Sequence, residues 1–202
     1  MKRTVVLALL VGFVMGAAGV IVTSRWLPEA DTPRPIERAT EDSQERSDGH
    51  FDPNAEHDRC TIEGVIDGDT IQCVEGATRV RLLLIDSPES GQGKYYFASR
   101  DFLSDLLPIG TSVTLEADAD FRDSYGRVLA YVWLPDGRMA NEELVRAGLS
   151  QAYAYNGRNV RHWDRIVKAQ HVAQRAAAGF WTHGQIVCAP KDFRHRRCSG
   201  FY

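Results

Sequence analysis

The sequence lacks most of the compositional features that mark specialised classes of protein. It has only one long uncharged apolar stretch, which argues against a membrane protein with several spans. No internal repeat is visible, and 44% apolar with 25% charged residues is ordinary for a globular chain, not for a disordered one. The 202 residues therefore allow one domain of ordinary size with an extension at an end.

A large excess of one charge is also missing. The net charge is -3, but residues 1–57 contain nine acidic and six basic residues, which leaves 18 of each in residues 58–202. A neutral domain can still bind a polyanion if its arginines gather on one face. The overall charge therefore neither supports nor excludes nucleic acid as a partner.

The apolar stretch occupies residues 4–23, directly after Lys2 and Arg3. As a helix it would be about 30 Å long, enough to cross a bilayer and longer than the core of most signal peptides. The small residues at 16–18 also fit a cleavage site, so residues 1–27 are either a signal anchor, which we favour, or a cleaved signal peptide. Either interpretation places the rest of the chain outside the cytoplasm, and an anchor would keep its N-terminus inside.

Residues 28–57 contain four prolines among mixed charges, which is typical of a disordered linker. From residue 58 the sequence changes to short apolar runs separated by turns such as DGDT and EGA. Five strands with about three helices predict an α+β fold, a Greek-key barrel of the OB type, over residues 58–187, with a basic loop bounded by cysteines over 188–202. The predicted strands are 61–66, 70–74, 79–85, 112–117 and 127–134, and the predicted helices are 95–107, 141–148 and 160–178.

Four motifs follow one another in the barrel region. They are VIDGDT at 65–70, RLLLIDSPE at 81–89, DSYGRVLAYVW at 123–133 and NEELVRAGL at 141–149. In order, spacing and content they resemble the staphylococcal nuclease (thermonuclease) family, and the resemblance covers residues 60–181. It implies an OB-fold enzyme that requires a calcium ion (Ca2+), hydrolyses phosphodiester bonds of DNA or RNA, and leaves the phosphate on the 3′ side.

The resemblance also implies roles for individual residues. Asp69 and Asp86 correspond to the carboxylate ligands of calcium, and the carbonyl of Ser87 completes the protein's share of the coordination shell. Glu89 corresponds to the general base that activates the attacking water.

Two arginines, Arg81 and Arg127, correspond to the pair that binds the scissile phosphate, where guanidinium groups form paired charge-assisted hydrogen bonds. Other positions correspond to residues around the bound nucleotide, and Tyr153 is the expected stacking surface for a base. These substrate-binding candidates are Tyr125, Tyr153, Tyr155 and Lys94.

The alternation of side chains between the two faces of a strand raises a difficulty for this site. Arg81 and Asp86 are five positions apart, so on one regular strand they would point to opposite faces. If both act at one site, the strand must bulge or turn before Ser87 and Pro88. Taken alone, DGDT predicts only a hairpin turn and Arg81 only a surface charge, so the conjunction of the motifs carries the interpretation.

Four cysteines in an exported protein predict two disulfides. Cys60 and Cys73 lie nearly equidistant from the DGDT turn, so we expect them on facing strands, and Cys188 would then join Cys198. The arginines between the last two cysteines are interpreted as a solvated tail, with an extension of a nucleic-acid surface as the alternative. A zinc site would have the ligands His183, Cys188, His195 and Cys198, but its spacing matches no common zinc finger.

Two other classes of function are weighed against the enzyme. A non-catalytic OB-fold module of the cell envelope would bind single-stranded nucleic acid without cleaving it, and a scaffolding protein would do neither. Loss of catalysis should appear as missing carboxylates or arginines, and all five expected side chains are present. The sequence therefore favours a monomeric nuclease whose partners are nucleic acid and, if the first segment is uncleaved, the membrane.

Overall fold

The computed structural model describes residues 57–182 and 188–198. The predicted membrane segment, and all but the last residue of the predicted linker, lie outside the described residues, so both stay predictions. Within the described residues, no helix combines the length and the apolarity that a membrane span requires.

Five strands form a closed barrel, which confirms the predicted OB-type α+β architecture. Around the barrel each strand is hydrogen-bonded to its neighbours in the order β1, β2, β3, β6, β5. A separate two-stranded sheet joins β4 to β7. The strands are β1 (His57–Asp67), β2 (Thr70–Cys73), β3 (Arg79–Leu82), β4 (Ile85–Asp86), β5 (Ser112–Glu116), β6 (Val128–Trp133) and β7 (Gln151–Ala152). The helices are α1 (Lys94–Leu106), α2 (Ala140–Arg146), α3 (Trp163–Arg175) and α4 (Pro190–Arg194).

The length of β1 closes the barrel. Its first half pairs with β5 and its second half with β2, both antiparallel, while β3 runs parallel to β6. Alternation along β3 places Val80 and Leu82 in the core, with 0% and 1% of their surfaces exposed, and turns Arg81 outward between them. The outer face of β3 is therefore where polar chemistry can be placed.

The predicted strand 79–85 is wrong as a single element. The chain leaves the barrel after Leu82, and Ile85 and Asp86 form the separate strand β4. Leu84, between the two strands, is buried and has φ of 62°, an unusual backbone conformation for a branched side chain. Arg81 and Asp86 therefore do not belong to one regular strand, and the rule that side chains five positions apart point to opposite faces does not apply to them.

The helices after β6 also differ from the prediction. The last long helix begins at Trp163 and not at residue 160, and Val160 precedes it with 42% of its surface exposed. The predicted stop at Gly148 is confirmed, since α2 ends at Arg146 and Gly148 has φ of 69°. The predicted stop at Gly179 is wrong: α3 ends at Arg175, and Ala177 takes the left-handed conformation after it, with φ of 48°. The amide of Phe180 donates to the Gly148 carbonyl at 3.0 Å, and a Cβ atom on Gly148 would lie 2.2 Å from the Ala178 carbonyl oxygen, so this close approach requires glycine.

Both predicted disulfides are confirmed. Cys60 joins Cys73 between β1 and β2, with 5.3 Å between their Cα atoms, and Cys188 joins Cys198 with 5.8 Å. Among the described residues no cysteine is free, so a zinc site that uses Cys188 and Cys198 as thiolates is incompatible with the structure.

Candidate active site

The turn between β1 and β2 fixes the first carboxylate. The Asp67 side chain accepts a hydrogen bond from the Asp69 amide at 3.0 Å. A Cβ atom on Gly68 would lie 1.7 Å from the Ser99 hydroxyl, so the turn packs against α1 too closely for any larger residue. Asp69 is thereby held at the end of the hairpin with only 8% of its surface exposed.

The second carboxylate, Asp86, is fully buried and converges with the first on one guanidinium. Arg81 Nη2 lies 2.9 Å from Asp69 Oδ2 and 3.6 Å from Asp86 Oδ1. The same side chain donates to the carbonyls of Leu82 at 2.7 Å and Ile85 at 3.0 Å. Arg81 therefore stabilises the turn between β3 and β4 as well as neutralising the two acids.

Ser87 connects the two carboxylate-bearing segments. Its amide donates to Asp69 Oδ2 at 2.9 Å, and its hydroxyl donates to the carbonyl of Gly68 at 2.8 Å. The hydroxyl also contacts that of Ser150, just before β7. The predicted role of Ser87, a carbonyl ligand, is not tested by these contacts, which instead give its side chain and amide a role in placing Asp69.

The protonation of Asp69 is set by opposing effects. Burial raises the pKa of its carboxyl to about 7, although the Arg81 guanidinium acts in the opposite direction. Negative charge on Asp67 and Asp86 adds to the effect of burial. Near neutral pH a cation brought to this carboxylate would therefore compete with a proton.

An arginine that the sequence analysis interpreted as part of a solvated tail completes the cluster. Arg194, at the end of α4, binds both oxygens of Asp86, with Nη1 at 2.8 Å from Oδ1 and Nη2 at 3.1 Å from Oδ2. Its Nη1 also lies 2.6 Å from Glu89 Oε1. The only signal for this contact in the sequence was the pair of cysteines on either side of the arginine. Their disulfide closes the loop but does not indicate where the loop docks.

Glu89 lies on the short turn that follows Ser87. Its amide donates to Gln92 Oε1 at 2.8 Å, and Gln92 Nε2 donates to the Cys188 carbonyl at 2.9 Å. The side chain of Glu89 is 36% exposed, so it faces solvent while Asp86 does not. The structure thus brings the expected base into the same cluster as the expected ligands, with Arg194 between them.

Arg127 directly precedes β6, the strand that pairs with β3, and is held by a different carboxylate. Because Arg81 is paired with Leu129 across the parallel strands, the alternation of side chains puts Arg127 and Arg81 on the same outer face. Arg127 Nε donates to Asp123 Oδ2 at 2.7 Å, and its guanidinium lies 5.5 Å from the centre of the Tyr125 ring. The described contacts join Arg127 to Asp123 and Tyr125, so its role toward phosphate stays a prediction.

The remaining substrate-binding candidates fall into two groups. Tyr125 and Tyr155 are 84% and 86% exposed, as rings that meet a ligand from solvent would be. Tyr153 is half-buried, and the ammonium group of Lys191 lies 5.3 Å from the centre of its ring. Lys94 is exposed at the start of α1, 5.0 Å from the ring of Tyr95, and none of its described contacts reaches the carboxylates.

Comparison with known proteins decides the family. The family described as "Staphylococcal nuclease homologue" matches residues 79–183, about half of the chain. The chain belongs to the staphylococcal nuclease family. An uncharacterized endonuclease of Escherichia coli is 37% identical over 136 residues, which cover 66% of this chain and 82% of the relative. A thermonuclease of Staphylococcus hyicus is 34% identical over 137 residues, or 64% of this chain and 79% of the relative. A thermonuclease of Staphylococcus intermedius is 37% identical over 127 residues, or 59% and 74%.

For a member of the staphylococcal nuclease family, the donors present fit a hard divalent cation. Calcium prefers carboxylate and carbonyl oxygens, and Asp69 and Asp86 both present carboxylates to a shared positive group. Asp86 already binds cationic guanidinium groups through both of its oxygens. Both carboxylates therefore face positive groups, and their oxygens are donors of the kind that calcium uses.

Proposed function

We propose that this member of the family is a calcium-dependent nuclease, which acts outside the cytoplasm on phosphodiester bonds of DNA or RNA and leaves 3′-phosphate ends. The observation that carries the proposal is the convergence of Asp69 and Asp86, from two separate turns, on one cationic position beside Glu89. The names of the relatives, endonuclease and thermonuclease, support the same reaction class.

Each of the clustered side chains has a distinct part in this chemistry. Asp69 and Asp86, with the Ser87 carbonyl, would hold the metal, and bound calcium would supply positive charge that stabilises charge developing on the phosphate. Glu89 would accept the proton of the attacking water, which its partly exposed carboxylate can reach. Arg81 and Arg127 would bind the equatorial phosphate oxygens from the outer face of the barrel.

The compartment is inferred from covalent structure and from the N-terminal sequence. Two disulfides account for all four cysteines, and such bonds persist in oxidising environments outside the cytoplasm. Together with the apolar segment of residues 4–23, they support an exported domain that is anchored to the membrane or released after cleavage.

The rival proposal, a binding module without catalysis, is separated by one assay. We incubate the full-length protein, after dialysis against a calcium chelator, with single-stranded DNA and RNA at increasing free calcium. Hydrolysis should appear at about 10⁻⁴ to 10⁻³ M calcium, because two carboxylates and a carbonyl leave much of the shell to water. Binding without cleavage at any calcium concentration would favour the rival.

Three variants assign the roles. Asp69→Asn and Asp86→Asn should raise the calcium concentration needed for half-maximal activity, since each removes a charged ligand. Glu89→Gln should lower kcat by about 10²-fold or more with little change in that concentration, since a general base contributes about 10²- to 10⁴-fold. Full activity in the chelator would remove the metal from the mechanism.

A further inference from the structure

The C-terminal loop, residues 188–198, is attached to the active-site side of the barrel at several points. The Cys188–Cys198 disulfide closes it, and Gln92 Nε2 donates to the Cys188 carbonyl at 2.9 Å. The ring of Phe193 lies against Gly91, so closely that a Cβ atom on Gly91 would be 2.5 Å from it. The loop is thus docked beside the turn that carries Glu89.

The docked loop occupies the positions that the proposed reaction needs. Arg194 binds both carboxylate oxygens of Asp86 and one oxygen of Glu89, the expected metal ligand and the expected base. Lys191 lies over the ring of Tyr153, the expected stacking surface for a base. One short segment therefore covers a ligand, the base and a nucleotide contact at once.

We propose that the C-terminal loop is an intramolecular competitor for calcium and nucleic acid, with Arg194 taking the place of the metal on Asp86. The proposal rests on the proposed function, because it requires Asp86 to bind calcium. A buried carboxylate needs a positive partner, and Arg194 supplies one. Calcium binding must break this ion pair, so only molecules with an undocked loop can bind the metal. The apparent affinity for calcium is then the intrinsic affinity multiplied by the fraction of molecules in which the loop is undocked.

A different role for Arg194, as a third phosphate-binding arginine, leads to the opposite expectation. A phosphate ligand would be needed for turnover and would not compete with calcium, so its removal would weaken activity and leave calcium binding unchanged. The contacts favour competition, since Arg194 binds carboxylates and lies between Asp86 and Glu89. Its side chain is 37% exposed, which leaves it a path to solvent when it is displaced.

The test measures calcium binding directly by isothermal titration calorimetry, without substrate. The full-length wild type, Arg194→Ala and Arg194→Gln are compared after dialysis against a chelator. The matched control is Arg197→Ala, which removes the same charge from the same loop at a side chain that is 63% exposed and lies 3.8 Å from Asp192. Circular dichroism checks the fold of each variant.

Both Arg194 variants should bind calcium roughly five- to tenfold more tightly than the wild type, within the usual range of coupling between linked events, and Arg197→Ala should bind like the wild type. A double variant, Cys188→Ser with Cys198→Ser, should shift in the same direction as Arg194→Ala because the loop is then less firmly tethered.

The outcomes separate this inference from the proposed function. Equal or weaker calcium binding by both Arg194 variants overturns the competition and leaves the calcium site standing. A gain of the same size in Arg197→Ala also overturns it, because the effect is then one of general charge. No calcium binding by any protein would overturn the proposed metal site and the inference together.

Discussion

Replacement of Arg81 by alanine should destabilise the fold as well as impair the reaction. Arg81 is the shared partner of two buried carboxylates, at 2.9 Å from Asp69 and 3.6 Å from Asp86, and it also binds the carbonyls of the turn after β3. Its own side chain is only 16% exposed, so water screens these contacts weakly. Without it Asp69 keeps its backbone hydrogen bond from Ser87 but loses its counter-charge.

The expected loss of unfolding free energy follows from the cost of leaving a charge buried without its partner. Removing one side of a buried ion pair costs about 3 to 5 kcal/mol, and the lower end applies because Arg194 still neutralises Asp86. A loss of about 3 kcal/mol corresponds to a fall in Tm of about 10 °C for a domain of this size. The loss should be smaller in acid, since a protonated Asp69 no longer needs a cation.

The assay is thermal and urea unfolding of wild type and Arg81→Ala in chelator, at pH 8 and pH 5. The control is Arg138→Ala, which breaks an ion pair with Asp136 whose side chains are 49% and 52% exposed, so it should leave Tm close to that of the wild type. A second variant, Arg81→Ala with Asp69→Asn, should recover part of the lost stability, because the unpaired charge is gone. A Tm for Arg81→Ala within about 2 °C of wild type at pH 8 would refute the reasoning.

Two further predictions concern pH. The pKa of Asp69 is raised to about 7, and in the proposed site calcium would bind its ionised form. The calcium Kd from calorimetry should therefore be about tenfold higher at pH 6 than at pH 8, and a pH-independent Kd would contradict the proposed role of Asp69. Burial raises the pKa of Glu116, but hydrogen bonds from His162, Arg161 and Trp133 outweigh it, so the pKa lies below its ordinary value. The stability that Glu116 contributes is therefore complete above the ordinary pKa of a glutamate and is lost as pH falls through the folded pKa. Glu116→Gln should be about 1 to 2 kcal/mol less stable than the wild type at pH 7. Urea titrations in acid should show that this loss of stability shrinks. A deficit that is constant with pH would show that packing, and not charge, is lost.

Much of the barrel could be predicted from the sequence because its signals are local. Turn residues such as those of DGDT and EGA mark the ends of strands, and alternation along β3 indicates which residues enter the core. The disulfide between Cys60 and Cys73 follows from the same register, since a hairpin fixes which residues face each other. These features are determined by residues that are close together in the sequence, so one sequence is enough to predict them.

The requirement that Arg81 and Asp86 share a site predicted a bulge or turn before Ser87, but its position, directly after Leu82, depends on tertiary contacts and could not be predicted. Nothing in LLLID indicates a turn: three leucines favour a continuous strand, and Leu84 adopts a left-handed backbone conformation against its own preference. What compensates is the pairing of β4 with β7 and the two carbonyls that accept from Arg81. The departure from local preference lies at the candidate site, where Asp86 must be turned away from the barrel strand.

The contact of Arg194 was equally beyond the sequence, since it joins residues 108 positions apart through side chains alone. Three arginines lie between the last two cysteines, and only Arg194 belongs to α4, from whose end it reaches Asp86. By composition all three resemble a solvated tail. The structure separates Arg194, which binds two carboxylates, from Arg197, which is 63% exposed.

The two arginines at the site bear on stability and function in opposite ways. The Asp86 side chain has no exposed surface, so its charge needs a positive partner, and Arg81 and Arg194 supply it. If calcium binds Asp86 as proposed, a contact that must then be broken would lower the affinity for the metal by the free energy with which that contact stabilises the fold. Arg81 also binds backbone carbonyls and belongs to the fold, whereas Arg194 comes from a loop that is separately tethered. Under the proposal, replacement of Arg194 should therefore change calcium affinity while Arg81 still faces Asp86, whereas replacement of Arg81 removes contacts of the fold itself.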